Sequence, residues 1–329
     1  MRTTLHAARR TATVALGGLA LVTATVTGSL AGEDELPYVP WSSYLPGWTD
    51  EYVPSSENDC VAGRPNCLKA TLKELSRIAD DTARSCSHDA PFARAYLRMT
   101  QLYGHTRQID GYYDDVPWMN HLDAVFARYY TDAYESYRSG DLASVPRSWR
   151  IAFDAAAAKT VTGSGDLLLG MNAHINRDLP YVVAASGLVA PDGSSHKADY
   201  VAVERWLYDA TGPLFAELAA RFDPKMADSQ DAYGLGNAVS FQAVSAWREN
   251  AWRNAEALVS APTPLARALV ETRIETEANT IAEALKRGQS YALTGGSTED
   301  RDQFCAEHNG DVPPVEYDFG PADAWGYAY

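Results

Sequence analysis

From Leu68 to about Leu285 the apolar residues recur at intervals of three and four, and no stretch of useful length alternates apolar with polar residues. Such spacing lays a hydrophobic stripe along one side of an α-helix, whereas a half-buried strand needs a period of two. Leu122, Val125, Phe126, Tyr129, Ala133 and Tyr137 mark one stripe. A second helix opens at Pro146, ahead of Trp149, Ile151 and Ala152. A long apolar one runs from about Asp166 to Leu179 and is expected to stop near Pro180, because proline cannot donate to the helical ladder. The turn Asp192-Gly193-Ser194-Ser195 precedes a helix through Val201, Leu207 and Leu214, and two more cover about 239–259 and 264–287. The expected fold is therefore all-α, one helical domain of about six to eight helices over residues 68–290. Irregular arms rich in aromatics flank it, 32–67 with Pro37, Pro40, Pro46 and Pro54, and 291–329 with Gly295-Gly296 and Pro313-Pro314.

Residues 1–31 read as an export signal. Arg2, Arg9 and Arg10 form a basic start, Val14 to Val22 an apolar centre, and Ser29-Leu30-Ala31 a small-x-small cleavage site. The apolar centre, softened by Gly17 and Gly18, is too short to span about 30 Å of hydrocarbon. The expectation is a secreted, extracellular protein that starts at Gly32 and has no stable membrane span. Formal charge is −15 over the whole chain. Loss of the three signal arginines takes it to about −18. So acidic a surface repels nucleic acid at long range, and nucleic acid is not an expected partner.

Four cysteines remain: Cys60, Cys67, Cys86 and Cys305. An even number in an oxidising compartment points to two disulfides, with three pairings possible. Cys60 with Cys67 would close a short loop around Gly63-Arg64-Pro65, leaving Cys86 and Cys305 to join the start of the helical region to the tail. No Cys-x-x-Cys occurs, which argues against a zinc ribbon or a redox motif.

The densest polar segment lies in the apolar helix: Asn172, His174, Asn176 and Asp178 within seven residues. His174 and Asp178, four apart, share a helix face with Leu167 and Met171, and an imidazole and a carboxylate are costly to bury without partners. Gly170, one turn earlier, permits close approach of a backbone or ligand. The bland counterpart is a satisfied core pair. A second group, His196 and Asp199 with Tyr200 and Glu204, has a spacing that suits one metal; alone it also reads as acids answering a helix dipole. His121 and Asp123 follow Asp114, Asp115 and Trp118 at another helix start, where Asp123 can equally be electrostatic dressing. Arg248 and Trp252 sit one turn apart, either an anion clamp or a cation–π contact. The chain has no Gly-x-Ser-x-Gly elbow, phosphate-cradling glycine loop or His-Glu-x-x-His, which disfavours a serine hydrolase, a nucleotide-binding protein and a zincin.

About half the chain, from Asp123 to Leu285, resembles a bacterial helical family of unassigned function (DUF5995-like). The likeness rests on Leu122-Asp123-Ala124-Val125-Phe126-Ala127, on Gly170-Met171-Asn172-Ala173-His174-Ile175-Asn176-Arg177-Asp178-Leu179-Pro180, and on Arg248 to Leu258. It supplies no chemistry. A more distant likeness is to the zinc-dependent phospholipases C and single-strand nucleases, which are all-helical and carry a His-x-x-x-Asp pair followed by a His-x-x-x-Glu pair. His174 and Asp178 resemble the first. His196 resembles the second only in part, since Tyr200 stands where the glutamate belongs and Gly32, not tryptophan, would begin the mature chain.

That likeness implies zinc held by His174, Asp178 and His196, with Asp199 and Asp123 as further ligands. The expected function is then a secreted metal-dependent hydrolase acting on phosphoesters or phospholipids. Metal-bound water would be its nucleophile, Arg248 would answer the developing charge, and Asn172 or Asn176 would orient a ligand. One alternative is a non-catalytic helical module that binds a hydrophobic small molecule or a surface partner. The aromatic arms and the series Tyr129, Tyr130, Tyr134 and Tyr137 would suit it, as they would a packed core. Another is a helical lyase or cyclase. In each case the expected partner is a small molecule or lipid.

Overall fold

The helices begin where side chains can satisfy the first free N–H groups. In the computed structural model, Asp115 accepts from the Trp118 N–H at 2.9 Å, Thr162 from Gly165 at 3.1 Å, Thr263 from Ala266 at 3.1 Å and Ser297 from Asp300 at 3.1 Å. Such caps contribute roughly 1 kcal/mol each. Proline stands in the first turn of five helices, where its missing N–H costs nothing. The structure describes residues 47–229, 235–310, 316–317 and 320–321. The signal segment 1–31, the first part of the N-terminal arm and most of the last nineteen residues lie outside the described residues.

In chain order the helices are α1 (Pro65–Arg84), α2 (Ala90–Thr106), α3 (Val116–Arg138), α4 (Arg147–Ala157), α5 (Gly163–Asn172) and α6 (Leu179–Ser186). They continue with α7 (Lys197–Arg221), α8 (Leu235–Ser260), α9 (Pro264–Gly288), the single turn α10 (Tyr291–Thr294) and α11 (Thr298–His308). A 3-10 turn, Pro224–Ser229, follows α7. Two antiparallel two-residue strands pair Glu316 with Pro321 and Tyr317 with Gly320. The protein is all-α, more finely divided than the periodicity suggested. No helix among the described residues is long and apolar enough to cross a membrane.

Between α5 and α6 lies a π-helical turn, Ala173–Asp178. Together the three pieces make one central helix, with α5 against α2, α4 and α9 and α6 against α3 and α8. Its Leu167, Leu169, Ala173, Leu179, Val182 and Val183 are fully buried. The helix was expected to stop near Pro180 but runs through it. The wider π turn, with the Leu179 N–H bonded back to the His174 carbonyl, begins a fresh α-helix in whose first turn Pro180 is harmless.

The C-terminal region is also less irregular than expected, because α11 carries a serine cap with Glu299 and Asp300 in its first turn. Arg301 of α11 is buried against Asp166 of α5 at 2.6 Å, and His88 bonds Asp302 at 3.0 Å. Disulfides join Cys60 to Cys67 and Cys86 to Cys305, the pairs that spacing pointed to. The Cys60–Cys67 loop is tight. Gly63 has φ +65°, and a Cβ there would fall 1.8 Å from the Pro117 carbonyl oxygen, so only glycine fits.

Candidate functional site

His174 is the second residue of the π turn, beside Phe92 of α2. Gly170 is what permits the packing, since a Cβ on it would lie 2.4 Å from the Phe92 ring. The His174 ring lies flat on Phe126, centroids 3.5 Å apart, and edge-on to Tyr96 at 4.5 Å. Its Nδ1 is 3.2 Å from Asp178 Oδ2, which also accepts from the Trp149 indole N–H at 2.8 Å, while Arg177 donates to the other oxygen at 3.0 Å. The acceptor character of Asp178 assigns the proton of His174 to Nδ1 and leaves Nε2 with the lone pair. Burial holds the imidazole below the ordinary histidine range, against the pull of Asp178.

Of the residues singled out from sequence, several turn away from this site. Asn172 donates to the Ala278 carbonyl of α9 at 2.9 Å and receives the Asn176 amide at 3.0 Å, so Asn172 fastens the central helix to α9 and Asn176 braces it, its own Oδ1 unpaired. Asp199 spends its oxygens on the backbone N–H groups of Asp114 and Asp115, both at 2.7 Å, and so braces the loop into α3. His196 stacks on Trp118, centroids 4.2 Å apart. Arg248 does make a cation–π contact, but with Tyr200, 4.3 Å over the ring, not with Trp252. It also donates to the Tyr200 carbonyl and lies 3.5 Å from Glu204. His121 has Nδ1 2.9 Å from the Cys60 carbonyl and Nε2 3.0 Å from the Asp50 carbonyl, and a neutral ring donates to one of the two. Of the four tyrosines, Tyr130 and Tyr134 belong to the packed core, Tyr129 donates to Asp50 and Tyr137 to Asp154.

The zinc set is not assembled. Among the described residues no three His, Cys, Asp or Glu side chains are placed to hold a metal ion. The reason is local: His174 and Asp178 are near one another by helical spacing, whereas Asp199 and His196 are committed to the α3 loop and Trp118. The donors present do not fit the metal, and no reaction step is drawn through it.

What surrounds His174 is a cavity of about 380 Å³ between α2, α3, the central helix, α7 and α8. Phe92, Tyr96, Leu122, Phe126, Met171, Ile175, Val203, Trp206, Leu214 and Phe241 give it a mostly apolar wall. This volume lies within the range of small-molecule sites, about 300–1,000 Å³. Five lining residues carry a buried polar atom without a hydrogen-bond partner: Tyr96 Oη, Thr100 Oγ1, Asp123 Oδ2, His174 Nε2 and Arg248 Nε. Unpaired buried polar atoms are rare in native proteins, and five around one cavity call for a functional account. Burial raises the Asp123 carboxyl to about 7, with Arg107 pulling it back only partly. Asp123 keeps some accessible surface and is one of the residues that line the cavity.

Tyr96, Thr100 and Phe92 escaped the sequence reading because α2 carries no unusual spacing; they matter only once α2 meets α3 and the central helix. Asp123 had a visible signal. It is the one acid among Leu122, Val125 and Phe126 on a face that otherwise goes inward.

Fold and site together define an all-α protein with a mostly apolar cavity between its helices, lined also by a few polar groups. The chain belongs to the family described as Family of unknown function (DUF5995), whose model matches residues 68–288. That span holds every cavity-lining residue except Gln289. No curated protein and no solved structure matches the chain.

Proposed function

We propose that this protein is an exported binding module for one hydrophobic small molecule, carried in the cavity between α2, α3, the central helix, α7 and α8. The observation that carries this reading is the 380 Å³ apolar cavity with a few unpaired polar groups on its lining residues. Apolar walls supply affinity through removal of ligand surface from water, and a few polar groups fix orientation. Export rests on the signal-like first 31 residues, and the two disulfides are compatible with it.

The test is native mass spectrometry of the protein with its organic extract, alongside titration with the neutral fluorophore Nile red. One bound molecule per chain is expected. Ala95→Phe, which pushes a ring into the cavity from α2, should weaken Nile red binding by about tenfold or more while the far-ultraviolet circular dichroism stays helical. Failure of the folded wild type to bind any apolar probe, or equal binding by Ala95→Phe, overturns the reading.

A further inference from the structure

We propose that the ligand carries a protonated amine and that Asp123 is the residue that pairs with it. This rests on the binding reading above and specifies the class of ligand.

The argument begins with the charges on the cavity wall. Only Asp123 and Arg248 among the described lining residues are acid or strong base. Arg248 donates to the Tyr200 carbonyl over the Tyr200 ring, and its Nε, which makes no hydrogen bond, lies 3.5 Å from Glu204. A ligand carboxylate there would meet the charge of Glu204. His174 keeps its Nδ1 on Asp178, and burial disfavours its cationic form. Asp123 is different. No hydrogen bond reaches its Oδ2, it is largely enclosed by protein, and it is one of the residues that line the cavity. The one cation acting on it is Arg107, beyond the end of α2, and at a distance that leaves burial dominant.

An ionised carboxyl in such a setting lacks a counter-charge, and Coulomb attraction at low dielectric is many times its value in water. An ammonium group supplies the missing charge. A second carboxylate would add to it, and a hydroxyl would offer a hydrogen bond but no charge. The surroundings favour the same choice. Tyr96 lies close enough for Asp123 to act on its hydroxyl, and Phe126 is one turn along α3 from Asp123. Aromatic faces attract cations, and more strongly where water is excluded. A polar head near Asp123 leaves the rest of the ligand against Leu207, Leu214 and Phe215.

The experiment displaces bound Nile red with decylamine, decanol and decanoate at about pH 8, where an alkyl ammonium is still charged. Decylamine should compete at a concentration at least about tenfold below the other two. Asp123→Asn should bring the decylamine-to-decanol ratio to within about threefold, and Asp123→Glu, which restores the charge, should recover most of the preference. Thermal unfolding of both variants establishes that they are folded. Equal competition by all three ligands, or a preference that survives in Asp123→Asn, overturns the proposal while leaving a hydrophobic binding site in place. Absence of Nile red binding by the folded wild type defeats the binding reading itself, a separate result.

Discussion

Asp123 stands between Leu122 and Val125 on the inward side of α3, and the same enclosure that readies it for a ligand works against the folded state. Its carboxyl holds a proton up to about pH 7 in the folded protein but only to about pH 4 in the unfolded chain. The folded state therefore binds more protons between these values, and stability contributed by this group falls as pH rises from about 4 through 7, then levels off. Asp123→Asn should raise the free energy of urea unfolding at pH 8 by an amount on the order of 1–4 kcal/mol, and so the urea midpoint, and change little near pH 4. The comparison must be variant against wild type at each pH. His174, His121 and His196 are all lowered by burial and act with the opposite sign, losing stability as pH falls below about 6.5. A midpoint difference that is the same at both pH values would contradict this account. At this scale the sequence was readable where partners are near in the chain. His174 and Asp178 meet because four residues make one helical turn. Asp199 did not meet them, because its partners are backbone groups of a loop 84 and 85 residues away, which no local spacing encodes.

Among the elements, the central helix decides the shape of the site. Gly170 allows Phe92 of α2 to lie directly on its backbone, and Phe92 in turn packs edge-on to His174, Tyr130 and Trp149. Gly170→Ala improves intrinsic helix propensity by about 1 kcal/mol but places a methyl inside the Phe92 ring. Overpacking of this kind costs about 1–3 kcal/mol, so a lower melting temperature is expected despite the better helix former. Gly170→Ala combined with Phe92→Leu should recover part of the loss; a variant no less stable than wild type would show that Phe92 moves aside freely. The presence of this helix was legible from its apolar run, and the role of Gly170 from its position before His174. Its passage through Pro180 was not, because a π turn resets the hydrogen-bond register without any composition of its own. In α11 the signal existed: Ser297 followed three residues later by Asp300 is a helix start, obscured by the polar character of the helix it opens.

At the level of the whole molecule, the Cys86–Cys305 bond fastens α11 to the end of α1, with Arg301 buried on Asp166 beside it. A loop of 219 residues carries a large closure term, about 5 kcal/mol in the chain-entropy treatment, against roughly 2–3 for Cys60–Cys67. Replacing Cys86 and Cys305 together by serine should therefore lower the denaturant midpoint by more than replacing Cys60 and Cys67; the reverse order would mean that α11 is held by its polar contacts alone. The connectivity also orders events during biogenesis. In a chain threaded from its N-terminus into an oxidising compartment, Cys60, Cys67 and Cys86 arrive long before Cys305, and neighbouring Cys60 and Cys67 can oxidise at once. Cys86 must then stay a lone thiol until nearly the entire chain has emerged. The bond it finally forms acts as a proof of completeness: a chain cut short before Cys305 keeps an odd thiol, open to mispairing and to capture by quality control, while a finished one hides it.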